Sequence, residues 1–316
     1  MKEFIINGND AGQRLDKFIS KTLKTLPQSL LYKAIRTKKI KVNRHRAEPG
    51  TVLCEGDSVL CFLPPEFFEG KYTSDPFLTL TPDVNVVYED ENVIVCDKRP
   101  GMLCHPDDQG EQITLIEHIK AYLYRKGEYD PESESSFTPS LCNRIDRNTG
   151  GLVIAAKNAA ALRDMNEMIK EKVVDKYYLC AVHGVPEPGE AILTAYLYKD
   201  TKNNVVTVYD KPKQGRVRIV TGYKVLAKKD GDALLQVRLY TGKTHQIRSH
   251  LSYIGHPLLG DGKYGVNRED KKQGYKYQAL YSYRLRFERG IGSLSYLTGK
   301  ELTVKLENVW FYENFR

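Results

Sequence analysis

Asn143-Arg144-Ile145-Asp146-Arg147-Asn148-Thr149-Gly150-Gly151 runs straight into Leu152-Val153-Ile154-Ala155-Ala156, and no other stretch of the chain says as much about fold and chemistry together. One carboxylate stands between two arginines, and a glycine pair feeds an unbroken apolar strand. Positive charge beside a carboxylate favours its ionised form. That state suits a nucleophile and is wrong for a general acid, which must hold a proton. An isolated R-x-D-R more often marks an Asp that pairs with Arg in a turn, so the surroundings have to be read.

Outward from this strand, short extended segments dominate. Val86-Val87 and Val93 to Cys96 flank Glu89-Asp90-Glu91-Asn92 as a hairpin would, and Leu235, Val237 and Leu239 alternate with Gln236, Arg238 and Tyr240. Helical periodicity is clearest at Ala161–Ile169 and Ile247–Ile254. Strands mostly follow strands with a few inserted helices, which favours α+β over a doubly wound fold: a mainly antiparallel mixed sheet across residues 78–316. The acidic, Ser-rich piece Glu128 to Ser136 is expected to be a mobile loop.

A second informative segment is Thr241-Gly242-Lys243-Thr244-His245-Gln246-Ile247-Arg248-Ser249-His250-Leu251, followed by Gly255-His256-Pro257-Leu258-Leu259-Gly260-Asp261. Ile247, Leu251 and Ile254 recur at i, i+4 and i+7, so a short helix opens after the Gly242 turn. Arg248 lies at its apolar edge, placed to be held against a partly buried anion. His245 and His250 are about 140° apart round a helix, and no H-E-x-x-H occurs, so no metal site is expected. The histidines read as hydrogen-bonding or packing groups.

The first 63 residues read as a separate small α/β module. Leu15, Phe18, Ile19 and Leu23 make one amphipathic stripe, Pro27 interrupts it, and Leu30, Leu31, Ala34 and Ile35 make a second apolar face. Extended Ile40 to Asn43 and the strand Val59 to Leu63 follow. Lys33, Arg36, Lys38, Lys39, Lys41, Arg44 and Arg46 fall together with no acidic residue among them. A bare basic cluster can be a solvated helix face. Here every cation lies outside the apolar stripes, which favours a phosphate-tracking surface. Residues 64–77, with Pro64, Pro65, Gly70 and Pro76, have turn chemistry and no period, and read as a linker.

Composition sets the outer limits. The 316 residues have room for two domains, and a formal charge of +8 with a pI near 9.0 fits a polyanionic partner without choosing among RNA, DNA and an acidic membrane. No apolar run reaches the roughly 18 residues of a membrane span, and Met1 to Asp10 lacks a signal-peptide core. Cys54, Cys61, Cys96, Cys104, Cys142 and Cys180 form no C-x-x-C and mostly sit in apolar strand-like stretches, as in a reduced cytosolic protein.

Together these segments resemble the RluA-type pseudouridine synthases. Asn143 to Gly151 is similar to that family's H-R-L-D-x-x-T-S-G signature, and Thr241 to Asp261 to its T-G-R-T-H-Q-I-R-x-H-L…G-H-P-I-x-G-D block. Lys98 to Pro106 is similar to its K-P-x-G-L-x-x-H-P motif, and Lys176-Tyr177-Tyr178-Leu179 to its K-x-Y-L strand. Arg14 to Phe18, with Lys41-Val42-Asn43 and Gly56-Asp57, resembles an S4 RNA-binding module. The five segments come in the family's order and cover nearly the whole chain. Asn143, Ile145 and Gly150 depart from the usual His, Leu and Ser, and Lys39 stands where Gly is common. The carboxylate, the tyrosine and the guanidinium are all retained.

The resemblance implies a pseudouridine synthase fold, with the S4-like module over residues 1–63 and the catalytic domain over 78–316. It implies Asp146 as the nucleophile, Tyr178 as the ring stacked on uracil, and Arg248 as the cation paired with the carboxylate. Arg144 would fill the space left by a flipped nucleotide. RNA would be held by Arg14, Lys33, Arg36, Lys38, Lys39 and Lys41. The reaction breaks N1–C1′ and joins C5 to C1′ with no net redox change, so no cofactor is expected. Whether Asp146 adds to C1′ or assists a glycal route stays open. Ribosomal RNA is favoured over tRNA because S4-like modules accompany the family's ribosomal members more often, and a cytoplasmic monomer is expected. A non-catalytic RNA-binding or ribosome-assembly factor is the alternative from another class. It gives no use to an ionised carboxylate facing phosphates. A nucleoside hydrolase gives no use to the basic module.

Overall fold

The computed structural model describes residues 1–68, 75–107, 110, 113–200 and 205–316. In the N-terminal part, α1 (Leu15–Thr22) and α2 (Gln28–Arg36) bury Leu15, Phe18, Ile19, Leu31, Ala34 and Ile35. Leu30, counted in the second apolar face from periodicity, is exposed. Strands β1 (Lys2–Ile5), β2 (Ile40–Val42), β3 (His45–Arg46) and β4 (Ser58–Cys61) form a sheet of order β1-β4-β2-β3. These elements enclose a core of their own that includes Phe4, Ile6, Ile40 and Val59.

A core this small stabilises a module only marginally, and this one is also fastened to the rest of the chain. Asn9 Nδ2 donates to Glu134 Oε1 at 2.7 Å, and Gln13 Nε2 donates to Ser136 Oγ at 2.7 Å. The Ser136 N–H donates to Asp10 Oδ1 at 3.1 Å, and Thr22 Oγ1 to the Ser135 carbonyl at 3.1 Å. The segment Glu128 to Ser136, expected to be mobile, is thus a docked strap whose Ser and Glu groups are matched by Asn, Asp and Gln across the join. Of the expected linker 64–77, residues 69–74 lie outside the described residues. Its ends are anchored: Phe67 and Phe68 pack on the N-terminal core, and Phe77 is buried in the next one.

The second sheet comprises β5 (Val86–Glu89), β6 (Val93–Lys98), β7 (Ser140–Leu141), β8 (Gly150–Ala156), β9 (Val174–Val182), β10 (Glu190–Asp200), β11 (Val205–Tyr209), β12 (Val217–Lys229), β13 (Asp232–Leu239), β14 (Leu280–Phe287) and β15 (Glu301–Thr303). Its order is β11-β10-β12-β13-β9-β14-β8-β6-β5, with β15 beside β14 and β7 beside β8. Among the described pairings only β8–β14 is parallel; the others are antiparallel. That parallel seam joins two antiparallel halves.

β8 is buried at every position, as a continuous apolar run covered on both faces must be. Leu152, Ile154 and Ala156 face Met165 and Met168 of one helix, Ala159–Lys170, while Val153 and Ala155 face Leu115 and Ile119 of another, Leu115–Arg125. In chain order the second of these is α3 and the first α4, followed by α5 (Gln246–Tyr253) and α6 (Arg268–Lys272). Tyr178, Cys180 and Val182 of β9 pack with Ile247 and Leu251 of α5. Ile145 touches both the α3 cluster and the α5 cluster. The segment carrying Asp146 therefore lies between two halves of one sheet face.

Candidate active site

The glycine pair after Asp146 has a steric reason. Across the parallel seam Gly150 is in register with Tyr281 and Gly151 with Ser282. A Cβ on Gly151 would lie 2.1 Å from the Ser282 carbonyl oxygen, at a φ of +113° that side chains rarely adopt. A Cβ on Gly150 would meet the Tyr281 ring at 2.4 Å. Ser282 is in turn in register with Tyr178 of β9, so close approach at the glycines brings the Asp146 loop toward Tyr178.

Two braces hold the loop. Asn143, where the family usually has His, is buried, and its Oδ1 accepts the Ile154 N–H at 2.8 Å. Lys98 is buried and its Nζ donates to the carbonyls of Arg99, Met102 and Arg147 at 3.1, 2.8 and 3.0 Å. Burial pushes the Lys98 ammonium down to about 8. The Gly101 N–H also donates to the Arg147 carbonyl at 2.9 Å. The Lys98-to-Gly101 segment thus clamps the chain just past Asp146.

Arg248 reaches the site from α5. Its Nε and Nη2 donate to the two oxygens of Asp261 at 2.7 and 2.9 Å, and its Nη1 donates to Asp146 Oδ2 at 2.7 Å. Asp261 is fully buried and also accepts the N–H groups of Lys263 and Tyr264. Burial alone would raise the Asp261 carboxyl. Arg248 and the two N–H groups outweigh it and hold the carboxyl below its usual range. Burial likewise opposes the Arg248 charge, and the Asp261 and Asp146 carboxylates overcome it, so its pKa is raised. Arg248 is the cation that the family resemblance pairs with Asp146, and the arginines beside Asp146 in the chain do not take that place. Arg144 is exposed at the cavity rim and Arg147 Nε donates to the Gly101 carbonyl at 3.2 Å; the hydrogen bond to Asp146 comes from Arg248.

Asp146, Tyr178 and Arg248 line one cavity of about 530 Å³, together with Cys104, His105, Arg144, Lys176, Lys243 and His245. The Asp146 side chain is 28% exposed, open to this cavity. Tyr178 is 6% exposed, and burial pushes its phenol up to about 12. A flat apolar face thus adjoins an anchored carboxylate. His245 caps α5 in the left-handed region, at φ 53°. Its Nδ1 lies 2.7 Å from Tyr264 Oη and its Nε2 lies 3.9 Å from Asp146 Oδ2. Burial lowers its pKa.

The sequence pattern does not mark Asp261, His245, Tyr264 or Lys98 as site groups. A signal for Asp261 is nevertheless present: it is the acidic residue that closes the segment carrying Arg248. On the N-terminal module, Lys33, Arg36, Lys38 and Lys39 are exposed and Lys41 is partly so. Lys33, Arg36, Arg46 and Tyr32 border a cleft of about 410 Å³. Arg14 is exposed but donates to Asp16 at 3.1 and 2.7 Å, so it is partly engaged within the module.

This fold and cavity define a class, and comparison with known proteins agrees. The family model for RNA pseudouridylate synthase matches residues 92–253. An uncharacterized RNA pseudouridine synthase of Mycoplasma genitalium is 33% identical over 297 residues, covering 91% of this chain and 89% of its own. Ribosomal large subunit pseudouridine synthase C of Vibrio vulnificus is 32% identical over 293 residues, covering 89% and 87%. The structure of human RNA pseudouridylate synthase domain containing 4 shares the fold, with a TM-score of 0.57 at 22% identity over 72% of this chain and 90% of that one. The chain belongs to the RNA pseudouridylate synthase family. It is an enzyme that isomerises uridine in RNA to pseudouridine.

Proposed function

We propose that this enzyme modifies uridines of large-subunit ribosomal RNA in the cytoplasm, with Asp146 as its nucleophile. The observation that carries the assignment is the Asp146 carboxylate, open to the cavity beside Tyr178 and tied at 2.7 Å to an Arg248 that Asp261 holds from behind. The glycosidic bond N1–C1′ breaks with its electrons leaving on the base. Asp146 meets the electron-poor sugar in one of two ways: it bonds to C1′ and leaves again as C5 attacks, or it takes the C2′ proton to give a glycal and returns it as C5 bonds. The base turns on the Tyr178 ring and C5 joins C1′. The C5 proton is released and N1 takes one up, so nothing is oxidised and no group is added. Stacking on an aromatic ring is worth about 1–3 kcal/mol per base, which holds the freed base while it turns.

Drawing the nucleotide out of its stack costs a few kcal/mol, and phosphate contacts offset that cost. We assign these to an S4-like module over residues 1–63, with Lys33, Arg36, Lys38, Lys39, Lys41 and Arg14 on its surface. Arg144 at the cavity rim would fill the space the nucleotide leaves. Residues 78–316 form the catalytic domain, acting as a monomer. The ribosomal substrate is supported by the name of the Vibrio vulnificus relative, and no described helix is long and apolar enough to cross a membrane.

The test is tritium release from C5-labelled uridine in a large-subunit ribosomal RNA transcript, with a tRNA pool in parallel. Release from the ribosomal transcript, lost in Asp146→Asn while RNA binding persists, is the expected result. Release from tRNA alone would overturn the substrate, and an active Asp146→Asn would overturn the nucleophile.

A further inference from the structure

Lys176 and Tyr178 stand two residues apart on β9, so their side chains leave the same face of the strand about 7 Å apart. Both line the catalytic cavity. The other buried cations nearby are engaged: Arg248 with two carboxylates, Lys98 with three carbonyls. Among the described residues, the Lys176 ammonium has neither a hydrogen-bond acceptor nor an ion-pair partner. Leu239 is the register partner of Lys176 on β13 and Cys142 is the titratable group beside it; both line the cavity and neither offers a counter-charge. Burial lowers the pKa of Lys176.

A partly buried ammonium without a counter-charge costs folding energy, because water is removed and nothing replaces it. Among the described residues no group compensates it, and the cavity that it lines has room for a ligand that would. A neutral uracil carbonyl would return only a hydrogen bond, whereas an anion returns the charge. The RNA chain brings a permanent anion to either side of any nucleotide that enters the cavity. We propose that Lys176 is a phosphate-binding residue, holding a phosphate that flanks the uridine whose base lies on Tyr178. This rests on the reading of Tyr178 as the base platform. It adds a charged anchor inside the catalytic cavity to those of the N-terminal basic surface.

The test compares wild type with Lys176→Met and Lys176→Arg on a large-subunit ribosomal RNA transcript. Filter binding and the half-saturating enzyme concentration for tritium release are followed as salt rises from about 50 to about 200 mM. Lys176→Met is expected to make the slope of log affinity against log salt shallower by about 0.7, the increment for one single-strand phosphate. Lys176→Arg keeps the slope. Lys176→Met also melts no lower than wild type, since an unpartnered charge is being removed.

An unchanged slope in Lys176→Met with a reduced turnover rate would mean that Lys176 meets the base and not a phosphate, and would overturn the proposal. So would a melting temperature several degrees lower, which marks a structural lysine. Filter binding reads the slope without turnover. A wild type that binds but releases no tritium from this transcript would sink the substrate assignment and leave the slope comparison intact.

Discussion

Asp146 and Asp261 both bind Arg248, yet the structure predicts opposite consequences for replacing them with Asn. Asp261 is fully buried and takes two of the three guanidinium hydrogen bonds, at 2.7 and 2.9 Å. Removing one partner of a buried pair and stranding the other costs about 3–5 kcal/mol. Each kcal/mol lowers the midpoint of a domain of this size by about 2–4 °C, so Asp261→Asn should melt about 6–20 °C lower. Asp146 is 28% exposed and takes the third bond. Arg248 keeps Asp261 when Asp146 is neutralised, so that loss resembles a solvent-accessible pair, worth about 0–1 kcal/mol. Asp146→Asn should therefore melt within about 4 °C of wild type while losing turnover. Thermal melts followed by circular dichroism, with tritium release below each midpoint, measure both quantities. Equal drops for the two variants, or an Asp261→Asn protein as stable as wild type, would refute the clamp.

The other predictions test the scaffold and the RNA surface. His250 is buried with Nδ1 3.0 Å from Thr221 Oγ1, and burial pushes it down to about 4 from its ordinary 6.5. The unfolded chain takes up the proton first. The stability from neutral His250 is thus complete above pH 6.5 and lost between 6.5 and about 4, a difference of about 3 kcal/mol. Urea midpoints across that window should fall less steeply for His250→Gln than for wild type; parallel lines would contradict the burial argument. Gly151→Ala should cost more than about 3 kcal/mol, since its Cβ would overlap a backbone oxygen at a left-handed φ. Gly50→Ala, which meets nothing within 4 Å, should stay within about 0.5 kcal/mol in the same denaturation series. Lys33→Ala combined with Arg36→Ala should weaken RNA binding on every sequence and make the salt slope shallower by about one for each phosphate no longer neutralised, with the saturated rate unchanged. A lower saturated rate at an unaltered slope would count against the basic surface.

Much of this architecture is readable in the chain because local patterning reports local burial. The unbroken run Leu152 to Ala156 is the mark of a strand covered on both faces, and β8 is one. The stripes at Leu15–Leu23, Ala161–Ile169 and Ile247–Ile254 fall on α1, α4 and α5. α3 carries the same kind of signal less plainly, since Leu115, Ile119 and Leu123 recur at i, i+4 and i+8 and all are buried. The strap Glu128 to Ser136 reads as mobile from sequence because composition measures affinity for water. It cannot show that Asn9, Asp10 and Gln13 stand opposite to replace that water.

The sequence by itself determined the alternation of elements, the glycine pair that a close strand approach demands, and the motif order that marks the family. The motif resemblance pairs Arg248 with Asp146, and only the tertiary structure decided how that cation is held there. Arg144 and Arg147 are the neighbours of Asp146 in the chain, yet Arg248, 102 residues away, makes the bond. The reason is that a guanidinium is held in a buried place only where a second carboxylate, here Asp261, compensates its lost water. Where two such distant residues meet is set by sheet register and helix packing, which no local pattern encodes.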